Sequence, residues 1–207
     1  MQLSSNRIIL TDVDGVLLEW ENHFTQWMLK RSHFDRNRNR VQTYNLLPDK
    51  ESEYAMEKRF GIEAWQIEAE IREFNRSAWM GTQPPMPNSV QWVKLLAAEG
   101  WTFIPITSQT SDLPAQELRK RRLGELFGNH VFQNYLILDT GANKKETLKE
   151  FKDTGLYWVE DKWQNAVDGL DVGLKPLLID HLYNRTFKKR GIKRVKNWKQ
   201  IRQLLVK

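Results

Sequence analysis

The chain has 207 residues, of which 40% are hydrophobic and 28% charged, with a net charge of +6 and no cysteine. This length supports one sizeable core, or one core with an appendage, and the composition is globular rather than disordered or membrane-embedded. Disulfides, thiolate zinc sites and a cysteine nucleophile are excluded, and no apolar run is long enough to span a bilayer.

The first legible element is "RIILTDVDGVLLEW", Arg7 to Trp20. Ile8, Ile9 and Leu10 read as a strand buried on both faces, as in a parallel sheet. Asp12 and Asp14 then fall at its carboxyl end, where open α/β sheets place their ligands. Two carboxylates so close repel unless a positive group or a metal lies between them. The preceding "MQLSSNR" enters the strand too soon to hold a secretory signal, so a cytoplasmic protein is expected.

Residues 18–85 have helical texture. "HFTQWMLKR" spaces Phe24, Trp27 and Met28 for a helix, and "ESEYAMEKRF" does the same with Tyr54, Met56 and Phe60. "IEAWQIEAEIREFNRSAWM" carries Ile62, Trp65, Ile67, Ile71, Phe74 and Trp79 on a broad apolar face. "TQPPMP" ends the helical run, because proline lacks a donor and restricts its neighbours. No β-pattern is visible in this stretch, and the basic "KRSHFDRNRNR" reads as a solvated loop.

From Asn88 onward helices and strands alternate. "SVQWVKLLAAEG" is an amphipathic helix stopped by Gly100, and "WTFIPITS" is a strand. "DLPAQELRKRRLGELFG" is a helix, "VFQNYLILD" contains a strand, "KKETLKEFKDTG" is a helix and "LYWVED" a strand. "WQNAVDGLDVG" is a helix or turn, "KPLLID" a strand, and the tail adds a strand at "IKRVKN" and a helix at "WKQIRQLLVK". This alternation predicts right-handed βαβ units: an α/β, Rossmann-like three-layer sandwich with a mainly parallel sheet. The expected core is 1–17 with 86–207, and 18–85 is a small helical cap inserted after the first strand.

Charge is unevenly distributed. Residues 183–207 contain ten Lys and Arg and no acid, leaving 22 basic against 26 acidic residues elsewhere, a net of −4. Such a tail can attract nucleic acid or an acidic partner, or can be the solvated face of a terminal strand and helix. The second reading is the plainer one.

Four features recur at strand ends or helix starts. Asp12 and Asp14 close the first strand; Thr107 and Ser108 close "FIPITS"; Lys144 and Lys145 open a helix behind Asn143; Glu160 and Asp161 close "LYWVED", with Asn165 a turn later. One sheet edge gathers them, and Asp161 can then share a divalent cation with the first carboxylates while a lysine balances further charge. A calcium loop of the helix-loop-helix kind is the plain competitor for Asp-x-Asp-Gly. The twelfth position from Asp12 is His23 rather than Glu, and a strand precedes the motif.

In this order "DVDGV", "IPITS", a lysine of "NKKETL" and "VEDKWQN" resemble the four motifs of haloacid dehalogenase superfamily phosphatases. With "PMPNSVQWVKLL" and the ending "LIDHLYNR…KRVKNWKQI", the chain is most similar to the 5'(3')-deoxyribonucleotidases of that superfamily; Glu160-Asp161 departs from the paired aspartates common there. The resemblance implies an Mg²⁺-dependent phosphatase acting on a small phosphomonoester, a (deoxy)nucleoside monophosphate. Asp12 would be the nucleophile and Asp14 the general acid–base. Asp12, the Asp14 backbone carbonyl and Asp161 would hold the metal. Thr107, Ser108 and Lys144 or Lys145 would contact phosphate. Phe24, Trp27, Trp65 and Trp79 would include the aromatics that stack on a base, although at helical spacing such aromatics are more often cap core; Asn165 would contact substrate or simply face solvent. Two alternatives use the same core: a polynucleotide end-processing (3'-)phosphatase whose basic segments hold a strand, and a non-catalytic nucleic-acid-binding protein.

Overall fold

The computed structural model describes residues 7–50 and 53–206. The stretch before Arg7, the first two residues of the "ESEYAMEKRF" pattern and the terminal lysine of the tail lie outside the described residues.

Six strands form one all-parallel sheet: β1 (Ile8–Thr11), β4 (Thr102–Ser108), β5 (Leu136–Leu138), β6 (Tyr157–Glu160), β7 (Lys175–Ile179) and β8 (Lys193–Val195), in the order β5-β4-β1-β6-β7-β8. Order reverses on either side of β1, so β1 is central and its carboxyl end opens at a topological switch point. Successive β1 side chains face opposite ways. Ile9 joins a core built with Phe103, Val159 and Leu177 against helices α4 (Ser89–Ala98), α5 (Leu113–Phe127) and α8 (Trp198–Leu205). Leu10 joins the opposite core with Ile104, Leu148 and Trp158, covered by α6 (Lys145–Lys149) and α7 (Trp163–Asp171). The fold is the predicted three-layer α/β sandwich. Gly100 follows α4 at φ +87°, the left-handed position that a glycine at the end of a helix supplies.

Between β1 and β4 lie helices α1 (Trp20–Lys30), α2 (Met56–Phe60) and α3 (Ala64–Arg76), followed by a 3₁₀ turn at Ala78–Thr82. They enclose an apolar cluster of their own: Phe24, Trp27, Met28, Met56, Phe60, Ile67, Phe74 and Met80. The chain leaves and re-enters the core side by side, with Leu18 bridged to Pro85 and the Glu19 amide donating to the Pro84 carbonyl at 2.9 Å. Asn75 of α3 ties this layer down, donating to the Gln109 carbonyl at 2.9 Å.

The structure corrects the reading of residues 30–40 as a loop without β-structure. Strands β2 (Ser32–Phe34) and β3 (Arg40–Gln42) form an antiparallel hairpin. Every residue of its two strands is exposed, so no buried face imposes an alternating pattern. Its turn is held by the Asp35 carboxylate, which accepts the Asn37 and Asn39 amides at 2.9 and 2.8 Å. The basic tail has structural employment. Arg194 donates to Asp180 at 3.0 Å and to the carbonyls of Asn184 and Phe187, and Arg202 pairs with Glu99. Among the described residues no helix is long and apolar enough to cross a membrane.

Candidate active site

The carboxyl ends of β1 and β6 and the start of α6 converge on a buried charged cluster. The Lys144 ammonium lies 2.6 Å from Asp12 Oδ2 and 3.1 Å from Glu160 Oε2. Glu160 Oε1 accepts the amides of Asp161 and Lys162, both at 3.0 Å, and Oε2 also accepts from Asn165 Nδ2 at 3.0 Å. Glu160 therefore spends both oxygens on positioning its neighbours. Lys145, one residue on, turns away to lie 3.9 Å from Asp168 with half its side chain in solvent. Of the two candidate lysines only Lys144 reaches this cluster. Asn143 Oδ1 accepts the Lys145 amide at 2.7 Å, which fixes the start of the helix.

Asp14 faces another way. Its Oδ1 is paired at 2.8 Å with Arg119, a fully buried arginine of α5 that also donates to Thr107 Oγ1 at 3.3 Å. The Asp14 side chain thus stays out of the acidic cluster, paired with a buried guanidinium, and the metal role expected of Asp14 falls to its backbone carbonyl alone. Thr107 lies behind the cavity wall, joined to Asp14 through Arg119. Ser108 does line the cavity, and its hydroxyl donates to the Ala142 carbonyl at 2.7 Å. Gly15 has φ +71°, and a Cβ there would collide with Asp161 Oδ2, so only glycine lets the β1 loop approach that carboxylate.

Sequence reasoning missed Arg119, Tyr183 and His181. The Tyr183 hydroxyl donates to Asp161 Oδ2, and its ring stacks on His181 at 5.1 Å. His181 Nε2 lies 2.8 Å from the Gly15 carbonyl, which can only accept, so that nitrogen carries the proton. The cap supplies Tyr54, whose ring meets Tyr183 at 4.9 Å.

Together these groups floor a cavity of about 1150 Å³ between the sheet edge and the cap, lined by Asp12, Asp14, Lys144, Asp161 and Asn165 below and by Trp20, Tyr54 and Ile71 above. The aromatics expected to meet a ligand do not line it. Phe24 and Trp27 are buried in the cap cluster, and Trp79 packs on His23 with Lys30 over its ring. The cap core consumes them, and Trp20 and Tyr54 take their place at the cavity.

The electrostatics follow from burying three carboxylates with one ammonium. Burial and the Glu160 charge push the Asp12 carboxyl well above its usual range, with Lys144 opposing. Burial raises Glu160 as well, and burial with the Asp12 charge moves Asp161 to about 6. Burial works against a charged Lys144, but Asp12 and Glu160 outweigh it and hold the ammonium protonated. Oxygens of Asp12, Glu160 and Asp161 lie within 4.8 Å of one another. With Lys144 counted, three negative charges and one positive leave two uncompensated, and hard oxygen donors suit a divalent cation such as Mg²⁺. All three carboxylates also meet protein groups: Glu160 meets Lys144, Asn165 and two amides, Asp12 meets Lys144, and Asp161 meets Tyr183.

No protein-family model matches the chain, and comparison with curated proteins finds no match. Solved structures match along nearly the whole length. A predicted phosphatase from Clostridium acetobutylicum superposes with a TM-score of 0.64 at 12% identity, covering 97% of this chain and 98% of that one. A haloacid dehalogenase-like hydrolase from Streptococcus pneumoniae gives 0.62 at 12% identity, again over 97% and 98%. D,D-heptose 1,7-bisphosphate phosphatase from B. bronchiseptica, solved with magnesium and phosphate, gives 0.55 at 13% identity over the same shares. At such low identity the likeness is one of architecture: the chain has the fold of the haloacid dehalogenase-like hydrolases.

Proposed function

We propose that this protein is an Mg²⁺-dependent phosphomonoesterase working through an aspartyl phosphate on Asp12, with a (deoxy)nucleoside monophosphate as substrate. The observation that carries the reading is the Asp12 carboxylate at the cavity floor, gripped by buried Lys144 at 2.6 Å, with Asp161 beside it and Asp14 two residues on. Support comes from the fold, whose solved examples include a bisphosphate phosphatase holding magnesium and phosphate.

Asp12 and Asp161, with the Asp14 backbone carbonyl, would hold the ion, which supplies Lewis-acid neutralisation of the phosphoryl charge. An Asp12 oxygen attacks phosphorus and the bond to the leaving alkoxide breaks. The Asp14 carboxyl gives that alkoxide its proton. In the second step the Asp14 carboxylate takes a proton from water as the water attacks phosphorus, releasing inorganic phosphate and restoring Asp12. Lys144 stays charged throughout and meets the phosphoryl oxygens. Arg119, braced by Thr107, keeps Asp14 aimed. Trp20 and Tyr54 offer the leaving group aromatic surface.

The test is phosphate release with Mg²⁺ from nucleoside 5'- and 3'-monophosphates, sugar phosphates and a 3'-phosphorylated oligonucleotide. The native chain should favour mononucleotides, and Asp12→Asn should release none while keeping its circular dichroism. An active Asp12→Asn chain would overturn the mechanism, and preference for the oligonucleotide would move the substrate to strand ends.

A further inference from the structure

Above the charged floor, the cavity wall is acidic. Glu19, Glu21, Glu57 and Glu68 all line it, whereas Arg72 and Lys162 are the basic side chains there besides Lys144. Arg72 lies 3.5 Å from Asp139, whereas Lys162 lies over the Tyr54 ring at 5.9 Å and keeps its positive charge. Of the four glutamates, only Glu21 has a cationic partner among the described residues, Arg59 at 2.7 Å. Glu19, Glu57 and Glu68, set against Lys162 alone, leave the wall with an excess of negative charge toward whatever hangs from the scissile phosphate. A carboxylate accepts hydrogen bonds and donates none. A second phosphate brings nearly two further negative charges, and like charges brought together in a partly dehydrated cleft repel strongly.

We propose that this glutamate wall selects monophosphates whose leaving group carries no second phosphate and offers hydroxyl or amino donors to Glu19, Glu57 and Glu68. The inference rests on reading the cavity as a phosphate-ester site and adds the charge class of the substrate. It sets nucleoside monophosphates and amino or polyhydroxy monophosphates above bisphosphates, nucleoside diphosphates and phosphorylated strand ends. Discrimination comes chiefly from repulsion of the wrong ligand.

The experiment compares matched pairs on the full chain with Mg²⁺: a deoxynucleoside 5'-monophosphate against its 3',5'-bisphosphate, and a hexose monophosphate against the corresponding bisphosphate. The monophosphate should lead in kcat/KM by about tenfold or more at low salt. The lead should shrink as salt rises and in the Glu57→Gln/Glu68→Gln double variant. Equal or better use of bisphosphates, or a lead untouched by salt and by the double variant, overturns the inference. Calorimetric binding of the same pairs to Asp12→Asn reads the preference without turnover. Hydrolysis of monoesters without preference sinks the selectivity alone. A preference in binding with no hydrolysis by the native chain sinks the phosphatase reading alone. Binding of neither partner sinks both.

Discussion

The floor and the roof of the cavity are built on opposite rules. At the floor the charged side chains are buried or half-buried and tied to others: Lys144 to Asp12 and Glu160, Glu160 to Asn165 and two amides, Asp161 to Tyr183, and half-buried Asp14 to Arg119. In the roof the apolar residues carry the structure, and three glutamates face the cavity without a cationic partner among the described residues. Polar groups in a low-dielectric setting must be satisfied, and once satisfied they are rigid. The floor is thus suited to holding reacting atoms in place, while the roof leaves its charges free to meet a ligand.

The largest effect that tests this contrast is removal of the ammonium. Lys144→Met leaves three buried carboxylates facing one another and should cost about 3–5 kcal/mol at pH 7, along with all turnover. Because Asp12 and Glu160 are already raised by burial, acidification protonates them first in the folded chain. The deficit in the variant should therefore shrink toward pH 5, as denaturant titrations at the two pH values will show.

In the roof the corresponding loss is one of packing. Trp27, 8% exposed and wedged among Phe24, Phe74 and Arg31, should cost about 3 kcal/mol as Trp27→Ala while leaving KM unchanged. Trp20→Ala, at the cavity, should raise KM several-fold, and steady-state kinetics on the two variants separate the roles.

A smaller effect is expected at Arg119. Arg119→Met should lower kcat by about 10²-fold through misdirection of Asp14, and adding Asp14→Asn should take little more, since both act through one proton. Additive losses in the double variant would remove Arg119 from that role.

The smallest effect is a pH-dependent response to metal. Asp161 titrates at about 6, above the value of 3.8 for an unperturbed aspartate. Without metal the folded chain binds this proton more tightly than the unfolded one, so the stability this group contributes is fully present below about pH 4 and is lost as pH rises through 6. Mg²⁺ competes with the same proton. The rise in melting temperature on adding Mg²⁺ should therefore be small at pH 5 and reach several degrees at pH 7.

Much of the floor was legible because its signals are local. A strand followed by Asp12 and Asp14, and a strand followed by Glu160 and Asp161, can be read without knowing what packs where. Arg119 escaped notice inside "ELRKRR", which reads as a solvated run. Yet Ala115, Arg119, Leu123 and Phe127 recur every four residues and form the buried face of α5, so the helical register held the missing signal. Adjacent helical residues point about 100° apart, which is why one of Lys144 and Lys145 had to face away; Lys144 shares its face with buried Leu148. The roof was harder. Trp20 and Trp27 are seven residues apart and lie on nearly the same face of α1, and periodicity names a face without saying whether protein or cavity lies opposite. The strands β2 and β3, exposed at every residue, left no periodic trace.

The central claim is that Asp12 carries the phosphoryl group. Acyl phosphates are reduced by borohydride to the alcohol, so the native chain can be mixed briefly with Mg²⁺ and a nucleoside monophosphate, quenched with borohydride and digested. Peptide mass spectrometry should find the carboxyl of Asp12 reduced, only when both substrate and Mg²⁺ were present. Phosphate release with Asp12 unmodified, or reduction at another carboxylate, would contradict the account.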